Sequence, residues 1–476
     1  MWIRRTGMGG ILAALCLAAA GCGTTVPTGT NAGEFKKLPL TQFEGYVLTE
    51  GLDSPWNLVW GPDNWLWVSE RAGKRITRVN PDTGEKKVVG TIDEAYPDTP
   101  HEGVLGFALS PDLLKGGGND YLYVYYIHRV DGQRQGRIAR YTYDAKRQTM
   151  GDPVILIDGM PAGNDHNGGR LIFGPDGKLY LSKGEMGHNQ FGNACLPIEA
   201  QRLPTAEEVK NQDWTAYVGK VLRFNPDGSI PEDNPVLNGV RSHVFTYGHR
   251  NPQGLTFGPD GILYSCEHGP SSDDEINLLE AGGNYGWPQV AGFRDNHGYV
   301  YANYSAAPNC KDLKWDANLI PDDVPKQQET DWNAPNFKEP LKTFYTVPGN
   351  YDYSDLRCAD AGLDYIDWPT IAPSSILYYP KDAAVPAWRN SLIVTALKNG
   401  AVYIVRLSDS GRQVQGDVDK EFHSRNRYRG AAIDPSGERL FVITDNAGNG
   451  LDEALIPTGE MKNPGSILVF HYTGKN

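Results

Sequence analysis

Apolar residues along this chain come in short alternating runs that stop at a turn and start again. The run LVWGPDNWLWVSE (58–70) shows the unit: an apolar strand, then Pro-Asp, then a second strand. It returns as FALSPDLLKGGGNDYLYVYYI (107–127), LIFGPDGKLYLSKGE (171–185), LTFGPDGILYSCEHG (255–269) and AAIDPSGERLFVITD (431–445). A copy with a longer turn, ILYYPKDAAVPAWRNSLIVTAL, occupies 376–397. Pro at the first corner and Asp-Gly after it close a tight connection between antiparallel strands. Each unit is followed by one more strand, as in RITRVN, RIARYTYD, KVLRFN, EINLL, AVYIVRL and SILVFHY. A strand–turn–strand–strand unit repeated at uneven spacing predicts radial repetition. The expected fold is all-β: a six-bladed β-propeller of four-stranded antiparallel blades, with the two chain ends completing one blade. Helix should be scarce, TAEEVKNQDW (205–214) being the best candidate. Insertions over 185–217 and 285–365 are too long for simple turns and should gather on the functional face.

Composition agrees with many short strands joined by turns, since Gly (55) and Pro (33) are plentiful among the 476 residues. A net charge of -13 argues against nucleic acid or an anionic membrane as the main partner. At the start, Arg4 and Arg5 precede an apolar run, Ile11 to Ala20, and then Gly21-Cys22. This reads as a secretion signal over 1–22, followed by a flexible tether over 23–40 and one catalytic domain over 41–476. The protein is therefore expected in the periplasm or outside the cell. Ala19-Ala20-Gly21-Cys22 also resembles a lipobox, without its usual leading Leu, which would anchor Cys22 to the outer membrane by a lipid. Plain cleavage is the alternative. Cys195, Cys266, Cys310 and Cys358 then share an oxidising compartment, and their three possible pairings stay open. No pair has zinc-site spacing.

Two polar loops flank LIFGPDGKLYLS. NDHNGGR and KGEMGHNQ bring Asp165, His166, Arg170, Glu185, His188 and Gln190 to the ends of one strand pair. His166 alone has a plain structural reading, and Asp165 beside it on an extended chain would point away. Other blades add cations at equivalent positions: Arg250 with Asn251 in YGHRNPQGL, Lys398 in LKNG, Arg427 and Arg429 in NRYRG. The last two share a face if that segment is extended. Singly these are surface charges; together they suit a small polyanion with several carboxylates.

GNDHNGGRL, YGHRNPQGL, EHGPSSDDEINLL, GGNYGWP, YANYSAA, WPTIAPSS and NRYRG resemble the soluble PQQ-dependent glucose (aldose sugar) dehydrogenases of bacteria. The likeness runs from about Leu48 to Tyr472 and implies a six-bladed propeller. It also implies PQQ, a tricarboxylate quinone, as the occupant of the cation cluster. By this resemblance His166 is the base that takes the proton from the sugar's anomeric hydroxyl as hydride passes to the quinone. Asp165 and Gln190 hold the sugar and orient the base, and Arg250 stabilises charge on the quinone oxygen. Asn251, Thr370, Lys398, Arg427 and Arg429 match PQQ contacts, and Tyr365 and Trp368 an aromatic wall for the sugar. Gly269 and Pro270 match carbonyls that hold a Ca²⁺ against PQQ. Asp274, Glu275, Tyr285, Ala291, Phe293, Asp295 and Glu329 match a second, structural Ca²⁺ site, with Ala291 and Phe293 contributing backbone. His101 and His268 stand where the glucose enzyme has Gln, and Phe191 where it has Leu. The family's short disulfide cannot form, because its second position here is Asp367. A homodimer and an external electron acceptor are implied too, since no haem-attachment motif is present. A calcium-dependent propeller lactonase and a non-catalytic sugar-binding propeller are the alternatives.

Overall fold

The computed structural model describes residues 42–316, 319–353 and 364–474. The expected signal, tether and Cys358 lie outside them. Six four-stranded antiparallel sheets form the body, as the repeat predicts. Their inner strands are Pro55–Trp60, Val104–Leu109, Leu171–Phe173, Pro252–Phe257, Pro373–Tyr379 and Tyr428–Ile433. Each packs on its neighbours around a closed ring, the last returning to the first. The sixth sheet takes three strands from the C-terminal end and its outermost, Phe43–Thr49, from the start of the described chain. Closing the ring with both ends leaves no blade missing a strand.

The recurring Pro-Asp turn has a visible cause. In the first blade Asp63 Oδ1 accepts the Trp65 N–H at 3.2 Å and the Trp67 indole N–H at 3.0 Å. In the third, Asp176 accepts the Lys178 N–H at 3.1 Å and the Tyr180 hydroxyl at 2.8 Å. The Asp thus fixes both the turn and the aromatic side chain four residues on, which packs between blades. In the fourth blade the equivalent aromatic, Tyr264, is tied instead to Gly411 O at 2.6 Å.

The predicted helix is present but shorter, Ala206–Asn211, with Thr205 and Glu208 forming a capping box. Left-handed Gln212 ends it. The two insertions meet each other. Cys195 and Cys310 form a disulfide with Cα atoms 5.7 Å apart, and Phe191 stacks on Trp315 at 4.3 Å. Asn189 Nδ2 donates to the Ala302 carbonyl at 2.8 Å. Cys266 is buried as a free thiol.

Arg170 lies at the axis of the ring, buried to 4%. Entering from the third blade, its guanidinium donates to Asn57 Oδ1 in the first. It also donates to the Gln253 carbonyl in the fourth and the Ser374 carbonyl in the fifth, each at 3.2 Å. Its plane lies 4.8 Å from the Trp56 ring centre. Burial lowers its pKa to about 10, so it remains charged at neutral pH. Arg170→Ala is expected to destabilise the fold by about 3 kcal/mol, three hydrogen bonds at roughly 1 kcal/mol each. Chemical denaturation measures this; a loss near zero would mean the ring is held without it.

Candidate active site

The loop after the strand Thr149–Pro161 makes the sharpest bend on this face. His166 has a φ of 38°, in the left-handed region that costs a non-glycine residue energy. Gly168 follows at φ 60°, where a Cβ would sit 2.8 Å from Ser182 O and Gly184 N. The bend is braced on three sides. Asn167 donates to the carbonyls of His101 at 2.9 Å and Gly163 at 2.8 Å. Asn251 Oδ1 accepts the Gly168 N–H at 3.2 Å. Lys183, its pKa pushed down to about 7 by burial, donates to Pro161 O at 2.9 Å and to the Tyr125 hydroxyl at 2.8 Å.

This bend overturns the expectation that Asp165 points away. With His166 left-handed, Asp165 Oδ1 accepts the His166 N–H at 2.8 Å, and Oδ2 lies 3.6 Å from His166 Nε2. The other ring nitrogen, Nδ1, is 2.5 Å from Glu185 Oε1. Glu185 is 1% exposed and also accepts the N–H groups of Gly187 and His188, at 3.2 and 2.9 Å. A carboxylate so placed holds the ring with Nδ1–H toward it and leaves the Nε2 lone pair outward. The resemblance gives Glu185 no role, although its loop is one of the two polar segments read as functional. Its signal was a carboxylate just beyond the strand that follows the histidine loop.

Gln190 does not touch the base; its Oε1 accepts Arg250 Nη2 at 3.0 Å. Arg250 lies over Trp287 at 5.4 Å. Arg427 and Arg429 share one carboxylate: Asp445 accepts from Arg429 at 2.9 and 2.8 Å and from Arg427 at 3.2 Å. Lys398 donates to Trp368 O and, at 3.3 Å, to Thr370 Oγ1. Trp368 is buried against Val347 and Tyr353, whereas Tyr365 is exposed and its hydroxyl accepts Asn449 Nδ2 at 2.7 Å. Arg71, unremarked in the sequence, donates to Thr99 O at 2.7 Å and Glu102 O at 3.0 Å, bracketing His101. Among the described residues Arg250 Nε, His268 Nε2 and Trp368 Nε1 are buried without a hydrogen-bond partner. Burial, then the charges of Arg250, His166, Arg429 and His101, keep His268 neutral well below the usual histidine range. Burial pushes the Asp165 carboxyl up, but His166, His101 and Arg250 outweigh it and hold it far below the usual range. Gln190 and Pro270 also open onto a cleft of about 340 Å³ walled by Trp287, Tyr299, Trp315 and Tyr353.

The acidic segment is a second cluster. Asp273, Glu275 and Glu329 are buried, with Asp295 beside them. Glu329 accepts the N–H groups of Ala291 at 3.0 Å and Asn296 at 2.8 Å, and Glu275 that of Gly292 at 2.6 Å. Phe293 O accepts the Asp295 N–H at 2.9 Å, and the Tyr285 hydroxyl is turned to Leu278 O at 2.7 Å. Asp274 directs one oxygen to the Gly269 N–H at 2.9 Å and the other to Ile371 and Ala372 at 2.5 and 2.8 Å. Among the described residues, no three His, Cys, Asp or Glu side chains form a ready metal cage.

At one end of its strands the closed propeller thus carries a buried imidazole–carboxylate pair and several guanidiniums. The family model for glucose/sorbosone dehydrogenases matches residues 52–323 and 361–452, and the chain belongs to that family. It is 43% identical over 475 residues to quinoprotein glucose dehydrogenase B of Acinetobacter calcoaceticus, covering 98% of each chain. An aldose sugar dehydrogenase of Escherichia coli is 31% identical, over 84% of this chain and 90% of that one. The PQQ-bound aldose sugar dehydrogenase of Streptomyces coelicolor superposes with a TM-score of 0.59 at 26% identity, over 91% of this chain and 99% of that one.

Burial raises the carboxyls of Asp274 to about 6, Asp273 to about 7 and Glu329 to about 8, from 3.8, 3.8 and 4.5. The folded state therefore binds more protons than the unfolded chain between those limits, so stability falls as pH rises through that window. Thermal melts of protein freed of divalent ions should show Tm dropping from pH 5 to pH 8. A flat or rising Tm would contradict the buried cluster.

Proposed function

We propose that the chain is a PQQ- and calcium-dependent dehydrogenase that oxidises the anomeric carbon of aldose sugars to the lactone. The observation that carries this is the His166–Glu185 pair beside the unpartnered donors Arg250 Nε and His268 Nε2. A base with its lone pair outward, next to buried donors lacking acceptors, suits a substrate hydroxyl beside an electron-poor oxygen-rich group. The residues fit PQQ: Arg250, Asn251, Thr370, Lys398, Arg427 and Arg429 would hold it, guanidiniums and ammonium matching its carboxylates. PQQ, when bound, supplies the acceptor for the two electrons leaving the sugar carbon.

The chain's own residues do the rest. Glu185 fixes the His166 ring and stabilises the imidazolium that forms when Nε2 takes the anomeric hydroxyl proton. Asp165, kept ionised, accepts a sugar hydroxyl. Tyr365 and Trp368 shape the apolar side of the seat. The acidic cluster fits calcium, because the hard carboxylate oxygens of Asp273, Glu275, Asp295 and Glu329 crowd there. Gly269 and Pro270 would present carbonyls to the ion next to PQQ, which would polarise the quinone. Arg4, Arg5 and the apolar run that follows support export to the periplasm, with Cys22 as the lipid-bearing residue if it is retained. Electrons then pass to an external acceptor.

Protein reconstituted with PQQ and Ca²⁺ should show a quinone absorption that glucose bleaches and an added dye acceptor restores. Binding without bleaching by any aldose would overturn the reading. His166→Ala should lower turnover on the order of 10³-fold, and Glu185→Gln on the order of 10²-fold, with PQQ still bound. Near-normal turnover in either variant would remove that residue from the role given it. Ca²⁺ added to stripped protein should raise Tm more at pH 8 than at pH 5.5, because the carboxyls must lose their protons to bind it. Equal shifts at both pH values would place the ion elsewhere.

A further inference from the structure

His166 has no open way to lose the proton it takes. Its side chain is 7% exposed, and behind Nδ1 stands Glu185, 1% exposed. On the Nε2 side the nearest protein acceptor is Asp165 Oδ2 at 3.6 Å. The second oxygen of that carboxylate, Oδ1, is 3.3 Å from His101 Nε2. The His101 side chain is 41% exposed and that of Asp165 30%, so of the two groups beyond His166 it is His101 that offers the larger face to water. From these contacts we infer that His101 is the exit for the proton: it passes from His166 through Asp165 to His101 and then to solvent buffer. This rests on the proposed function above and deepens it.

The steps conserve atoms and move no electrons. The Nε2–H bond of the His166 imidazolium breaks as an O–H bond forms on Asp165. That O–H is on Oδ2, so the carboxyl turns about its Cβ–Cγ bond to bring it to His101, where the O–H bond breaks as His101, in its Nδ1–H tautomer, gains the proton at Nε2. Its exposed edge returns one proton to a buffer base, and the other two groups recover their starting charges. The route hands the proton between placed groups and finally to a buffer base, so that water need not act as the base. Asp165 is a bridge and not a store, because its neighbours keep it ionised.

The surroundings of His101 favour release. Desolvation of its enclosed edge lowers its pKa, Asp165 opposes, and the charges of His166, Arg429 and Arg71 lower it further. Near neutral pH it is therefore unprotonated and ready to accept. Arg71 also holds the His101 loop by the Thr99 and Glu102 carbonyls, and Asn167 ties the His101 carbonyl to the His166 loop. A Gln at this place could bind sugar but could not carry a proton.

His101→Gln tests this. With PQQ and Ca²⁺ loaded, a saturating dye acceptor and dilute buffer at neutral pH, kcat should fall about tenfold, less than the roughly hundredfold of a base acting on the reacting group itself, because water takes over part of the transfer. Added imidazole should restore it, with the sugar KM little changed. In protein without PQQ, Asp165→Asn should lower the His101 pKa followed by NMR, since its only raising partner is removed. A kcat for His101→Gln that matches wild type and ignores buffer concentration would overturn the relay while leaving sugar oxidation standing. A His101 pKa unmoved by Asp165→Asn would overturn it as well. If wild-type protein fails to bleach its quinone with any sugar, the functional reading falls first and the relay with it.

Discussion

A ring of six sheets has an axis, and something must occupy it. Here a single guanidinium does so, reaching from the third blade to the first, fourth and fifth. Its partners are neutral: two carbonyls and an amide oxygen. The charge is therefore held by dipoles, and planar geometry rather than ion pairing sets the distances between blades. Asn57 passes the tie on to Phe107 O at 3.0 Å in the second blade, and Ser374 to Tyr428 O at 2.6 Å in the sixth. One residue and two relays thus reach all six inner strands. The histidine bend begins four residues before Arg170, so the loop that carries His166 inherits the axial alignment directly.

The scaffold was legible because its signal is repeated. The strand–turn–strand pattern recurs in every blade, and six weak signals in register leave little choice of architecture. The cation seat was legible in part: Arg250 and Arg427 precede inner strands and Arg429 lies in one, whereas Lys398 follows the second strand of its blade and so reaches the same end from a different position. What resisted reading was the geometry inside one loop. Extended backbone sends Asp165 and His166 apart, and only the left-handed φ at His166 brings them together. That conformation depends on Asn251 and Asn167, contributed partly from other segments, so no local rule announces it. Glu185 was named in its loop without a role, because that role comes from the strand pair folding it back against the histidine. The pairing of Cys195 with Cys310 joins two insertions 115 residues apart, a separation no short-range pattern encodes.

Two opposite charge clusters lie near each other on the functional face, and one residue joins them. Asp274 belongs by sequence to the acidic segment, yet its oxygens bind the N–H of Gly269 on one side and those of Ile371 and Ala372 on the other. The second pair leads directly into the fifth blade, beside Thr370 and Lys398. Lys398 also lowers the Asp274 pKa against the larger effect of burial. The carbonyls of Gly269 and Pro270 and the cation seat are therefore set at a fixed distance by one carboxylate. A divalent ion drawn by the acidic cluster would steady the loop that carries Asp274, and through it the groups that face an anionic cofactor. Order in the acidic segment and affinity for a polyanion are then coupled by structure, even though no residue of the cluster needs to touch the substrate.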